Sequence, residues 1–149
     1  SILSKELNLL KELVEEKRKK REEIFYYKEK FKNIIHNLFK DTNKEVFIDE
    51  NNSINFKIDE ENTITPYDLS SGEKQMLSIL LRVLLTENKF CILMMDEPEM
   101  SLHVEWQNSM ISNLRDLNSN MQIIISTHSP AIVTKGWKDK IIKIQDYLK

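Results

Sequence analysis

The chain of 149 residues has one cysteine, two glycines and three prolines, and each scarcity closes off a class of protein. A single thiol, Cys91, can build neither a disulfide framework nor a cysteine-rich metal site. Its place inside the apolar run FCILMM (90–95) makes a buried, inert thiol the expectation. With glycine only at positions 72 and 136, no Gly-x-x-x-x-Gly-Lys-Ser/Thr loop can be built, so the chain carries no phosphate-wrapping loop. No apolar run approaches the ~18 residues that cross a bilayer, and Lys5 with Glu6 break the apolar core a signal peptide needs. The chain reads as cytoplasmic, with no membrane partner.

What is present, 40% hydrophobic and 31% charged residues, is the composition of a soluble globular domain. The net charge of -2 is unevenly spread: residues 1–40 hold 11 Lys and Arg against 7 acids, and the remainder 11 against 17. This is a basic arm on an acidic body, or simply a solvated helix face.

No proline or glycine occurs before Pro66, and Leu3, Leu7, Leu10, Val14, Ile24, Phe31, Ile35 and Leu38 share one alternating three-four spacing. That spacing predicts a helical arm over residues 1–40 with a heptad seam, as in one strand of an antiparallel coiled coil. The same register puts Lys17, Arg21 and Lys28 on the seam, so the cluster KRKKR (17–21) interrupts the stripe. Such a cluster contacts nucleic acid, DNA or RNA, or is a solvated or acid-paired face.

Two alternating segments, EVFID (45–49) and SINFKID (53–59), predict a β-hairpin. From 71 to 85 the pattern is a helix apolar nearly all round, hence buried. FCILMM reads as a strand covered on both faces of a parallel sheet. A helix with Trp106, Met110, Leu114 and Leu117 on its packing side follows. The strand MQIIIS (121–126), a short helical segment around 131–133 and a last strand KIIKI (140–144) complete an α/β order over residues 41–149.

In open parallel sheets, ligands collect beyond the carboxyl ends of the strands. The residues found there are Asp96 with Glu97, and Thr127 with His128. Two adjacent carboxylates at a strand end suit a hydrated Mg²⁺ on the first and an attacking water on the second. Taken alone they are also an ordinary loop beginning, and a lone histidine is often a structural hydrogen-bonder. The third feature is LSSGEKQ (69–75), where the Ser70 hydroxyl and the Gly72 N–H at a helix start suit a phosphate.

In order and spacing, LSSGEKQ, ILMMDEPEMSLH (92–103) and IIISTHSP (123–130) resemble the second half of the nucleotide-binding domain of ABC-type ATPases, over about residues 64–134. The resemblance implies a parallel-sheet ATPase lobe with ATP and Mg²⁺ as cofactors. It makes Asp96 the metal-holding Walker B aspartate, Glu97 the general base and His128 the switch histidine. Ser70, Ser71, Gly72 and Glu73 become the signature that meets ATP in trans, and Ser101 with His103 belong to the D-loop region. Serine at 71, where many transporters have glycine, and the phrase THSPAIVTKGW (127–137) are similar to the non-transport branch. That branch includes overcoming-lysogenization-defect nucleases and anti-phage ATPases of the Septu and retron type.

The expectations follow from that branch. ATP hydrolysis would occur in a homodimer or higher oligomer closed around ATP. The phosphate loop would come from a missing N-terminal ATPase segment, without which the chain alone is inactive. The regulated partner would be a nuclease- or toxin-type effector. An ATP-gated scaffold without significant turnover, and the energising subunit of a membrane transporter, stand as alternatives.

Overall fold

A computed structural model describes residues 2–133 and 136–146. Thr134 and Lys135, within the phrase 127–137, and Ser1 of the arm lie outside the described residues. The long helix α1 spans Ile2–Phe39, as a segment rich in Lys and Glu and free of Pro and Gly dictates. Asn43, in the left-handed conformation at φ 53°, turns the chain after α1.

Only the base of the arm is packed. Phe31, Ile34, Ile35, Leu38 and Phe39 are buried, whereas residues 2–26 are exposed throughout, so the heptad seam is covered over its last turns alone. Phe39 stacks on Phe56 at 4.9 Å and lies 5.3 Å from Trp106, whose indole N–H donates to the Leu38 carbonyl at 3.1 Å. Within the basic cluster, Arg18 pairs with Glu15 at 2.6 Å and Glu22 at 3.5 Å along its own helix. Exposed in-helix pairs of this kind contribute little to stability.

The expected hairpin forms: β1 (Glu45–Ile48) pairs antiparallel with β2 (Ile54–Lys57), Val46 opposite Phe56. Asp49 closes its turn by accepting from the Asn51 and Ser53 N–H groups, both at 2.9 Å. A short third strand, β3 (Thr63–Ile64), extends this sheet. Helix α2 (Ser71–Leu84) follows, then β4 (Cys91–Asp96), α3 (Val104–Leu117) and β5 (Met121–Ser126). Helix α3 is the crossover that lets β4 and β5 run parallel, in a register that sets Asp96 beside Ser126. Among the described residues no helix is long and apolar enough to cross a membrane.

Three expectations are corrected. Strand β4 is not covered on both faces: Leu93, Met95, Ile123 and Ile125 pack against the core, but Ile92 (54% exposed), Met94 (74%) and Ile124 (46%) form an open face. The reason is that, among the described residues, helices cover this sheet from one side only. For the same reason α2 is not buried all round. Met76, Leu77, Leu80 and Val83 face inward, while Lys74, Ser78, Arg82 and Leu85 are exposed.

The last strand is absent. Residues 131–133 form a turn, Lys138–Lys140 and Ile144–Asp146 are short 3-10 turns, and Ile141, Ile142 and Ile144 are exposed. No helix among the described residues links β5 to this segment, and parallel pairing needs such a crossover.

Candidate active site

The parallel register brings both strand ends to one place. Asp96 is the last residue of β4 and is exposed, and the next N–H, of Glu97, still donates to the Ser126 carbonyl at 2.8 Å. Glu97 is then turned into the left-handed region at φ 45°, a conformation that costs a side chain of this size free energy. Its carboxylate Oε1 lies 3.1 Å from His128 Nε2, with the imidazole 94% exposed and the glutamate side chain 30%. Removal from water, and then the adjacent Glu99 carboxyl, push the Glu97 pKa above the ordinary carboxylate value, against the pull of His128.

Glu99 is the residue whose role the sequence did not disclose. Its Oε1 accepts from the Thr127 hydroxyl at 2.5 Å and from the N–H groups of His128 (2.9 Å) and Ser129 (3.1 Å). Burial opposes its ionisation, but the Thr127 hydroxyl and the neighbouring N–H groups more than offset this and hold its pKa low. The other oxygen, Oε2, is buried without a hydrogen-bond donor. The two acids divide the work by environment: one is held ionised by donors, the other is raised.

The loop between β4 and α3 is a tight structure in itself. The N–H of Met100 donates to the Glu97 carbonyl at 3.2 Å and that of Leu102 to the Glu99 carbonyl at 2.9 Å, with Ser101 left-handed at φ 68°. His103 caps α3 through its backbone, its carbonyl accepting from Trp106 and Gln107, and its ring stands edge-on to Trp106 at 6.0 Å. Gln107 ties this loop to the one after β5: its Nε2 donates to the Leu102 carbonyl at 2.9 Å, and its Oε1 accepts from Ser129 Oγ at 2.6 Å.

At the start of α2, Ser70 and Glu73 form a reciprocal cap. Ser70 Oγ accepts from the Glu73 N–H at 3.3 Å, and Glu73 Oε2 from the Ser70 N–H at 2.8 Å. Such a cap leaves fewer orphan donors at a helix start. Glu73 is 4% exposed and its Oε1 accepts from Lys44 Nζ at 2.9 Å. Burial works against its charge, yet Lys44 and the Ser70 groups outweigh it and lower its pKa. Ser71 remains exposed and Gly72 is buried.

Helix α2 meets the β4–α3 loop at two points: Gly72 against the Ser101 carbonyl, and Gln75 Nε2 donating to the Pro98 carbonyl at 2.8 Å. A cleft of ≈ 280 Å³ opens between α2 and β4, lined by Gln75, Arg82, Asp96 and Pro98 among others. Asp96, Glu97, Glu99 and His128 thus form one cluster at the strand ends, and residues 97–103 join it to the helix start carrying Ser70 to Glu73. No cluster of three or more His, Cys, Asp or Glu that could hold a metal unaided occurs among the described residues. Asp96 fits the other type of site, where Mg²⁺ takes one carboxylate and completes its shell with phosphate and water.

Against known proteins, the family profile described as an AAA ATPase domain matches residues 1–133. The chain is 31% identical over 97 residues to the retron Vc95 probable ATPase of Vibrio cholerae serotype O1 biovar El Tor, covering 56% of this chain and 19% of that protein. It is also 31% identical over 81 residues to the retron Ec83 probable ATPase of Escherichia coli, covering 47% of this chain and 15% of the relative. The chain therefore spans under a fifth of the length of these relatives. With a mixed α/β lobe behind a long helix and a profile match over most of its length, the chain belongs to the AAA ATPase domain family.

Proposed function

We propose that this chain is the C-terminal portion of an ABC-type ATP hydrolase whose site is shared between subunits. The single observation that carries the reading is the pairing of Glu97 Oε1 with His128 Nε2 at 3.1 Å, at the carboxyl ends of two parallel strands. Glu97, with its pKa raised, is a general base that takes a proton from an attacking water. His128, almost fully exposed, donates to a phosphate oxygen from beside that base. Asp96 at the strand end would hold Mg²⁺, which when bound neutralises phosphate charge. Ser70, Ser71 and the α2 N-terminus meet the phosphate of a neighbouring subunit, with Ser101 and His103 at the same interface. Glu73 serves by fixing the helix start.

The complete site needs a phosphate loop from another segment, and the open face of Ile92, Met94 and Ile124 suits such a covering element. The domain division follows: a helical arm over 1–40 and an ATPase lobe over 41–149. Because these two relatives are named retron probable ATPases, we extend the reading to control of a nuclease- or toxin-type effector by the ATP cycle. The exposed basic cluster at 17–21 is the place where DNA or RNA would touch the arm.

The test is made in the full-length protein. Glu97→Gln is expected to abolish ATP turnover while ATP-dependent association persists, and His128→Ala to slow turnover. Unchanged phosphate release by Glu97→Gln would remove the base assignment and favour a scaffold that ATP only holds together.

A further inference from the structure

We propose that Glu99 is the positioning residue of this site, a clamp that holds the backbone of residues 127–129 so that the His128 imidazole stands beside Glu97. The inference rests on the roles given to Glu97 and His128 above. One oxygen of Glu99 collects three donors, and two of them are the N–H groups of consecutive residues, 128 and 129. Fixing both peptide planes flanking the histidine fixes the direction in which its side chain leaves the chain. A carboxylate aligned with backbone N–H groups makes stronger bonds than a neutral acceptor would.

The clamp is itself held. The Glu99 carbonyl accepts from the Leu102 N–H at 2.9 Å, inside the loop whose Pro98 carbonyl is bound by Gln75. Across the histidine loop, Gln107 grips Ser129 Oγ at 2.6 Å, and that same Oγ accepts from the Ala131 N–H at 3.2 Å. The loop after β5 is therefore gripped from two sides, by α3 through Ser129 and by the β4–α3 loop through Glu99. Only the second grip reaches the residue that carries the imidazole. Position 99 thus positions the imidazole through the backbone of 128, beside its direct effect on the neighbouring Glu97 carboxyl.

The experiment uses the full-length protein with two measurements: steady-state ATP turnover, and amide hydrogen exchange of a peptide spanning 126–131. Glu99→Ala is expected to speed exchange of that peptide and to lower kcat by about 10- to 100-fold, with KM within about twofold. Glu99→Gln keeps the acceptor oxygen and is expected to recover most of both losses. In a His128→Ala background, Glu99→Ala should lower kcat by clearly less than it does in the wild type, because the two changes share the placing of the histidine. Thr127→Val, which removes a single donor, should speed exchange to a lesser degree and gives the same reading if Glu99→Ala does not fold.

Exchange unaltered by Glu99→Ala would overturn the clamp, as would a full multiplicative loss in the His128→Ala background. If His128→Ala alone turns over like the wild type, the histidine's assigned role fails instead. The exchange measurement still decides whether Glu99 holds the loop.

Discussion

Gly72 lies so close to the backbone of Ser101 that a methyl group on it would sit 2.1 Å from the Ser101 carbonyl oxygen. The glycine is thus required by the chain's own packing, apart from any nucleotide. Alanine normally favours a helix interior over glycine by about 1 kcal/mol, but here the obstacle is backbone and cannot swing aside. Gly72→Ala is expected to destabilise the protein by about 1–3 kcal/mol, read as a lower urea midpoint. A midpoint equal to or above that of the wild type would mean that the 97–103 loop gives way freely.

The pair of Lys44 and Glu73 makes stability depend on pH in a defined direction. The Glu73 pKa is lower in the folded state than its ordinary value of 4.5, so the folded protein binds fewer protons than the unfolded chain around that pH. Its contribution is complete above the ordinary value and is lost as pH falls through the lower, folded one. Lys44→Met leaves an uncompensated carboxylate whose side chain is 6% exposed, and is expected to cost about 3 kcal/mol at pH 7. Denaturation curves of the two proteins should converge as pH falls from the ordinary value through the lower, folded one, and a constant difference across that fall would refute the linkage.

Trp106 anchors the arm to the lobe through its bond to the Leu38 carbonyl, in the last turn of α1. Trp106→Phe leaves that buried carbonyl without its donor and opens space beside Phe39. The expected cost is about 2–3 kcal/mol in denaturant unfolding. A loss near zero would show that the carbonyl finds another partner.

The elements with strong local periodicity were legible in the sequence, and of the candidate site the meeting of Asp96, Glu97 and His128 was legible from their place beyond strand ends. The long helix, the hairpin and both parallel strands follow from patterns over a few residues. The failures lie where a neighbour decides. FCILMM reads as doubly buried because its composition cannot reveal that helices cover one face only. KIIKI reads as a strand, but among the described residues no helical crossover brings it to a strand it could join. Glu99 is two residues beyond Glu97 in a motif already marked, yet its work depends on the Thr127–Ser129 backbone folding onto it. Glu73 stood among nucleotide-facing residues by position, while its partner Lys44 is 29 residues away.

The backbone of Glu97 separates activity from stability. At φ 45° a glutamate is strained, whereas asparagine enters the left-handed region at lower cost. Both Glu97→Gln and Glu97→Asn remove the carboxylate that stands against Glu99, so both relieve the same like-charge contact and lose the proposed base. Only the asparagine variant relieves the backbone as well. The difference between the two variants therefore isolates the strain, and Glu97→Asn is expected to melt about 2 °C above Glu97→Gln. Turnover should be lost in both. Calorimetry on the pair checks this directly: an asparagine variant melting at or below the glutamine variant would show that the conformation is not strained. In that case the backbone would accept a glutamate at 97 without strain, and only the like-charge contact with Glu99 would set stability against a reactive group.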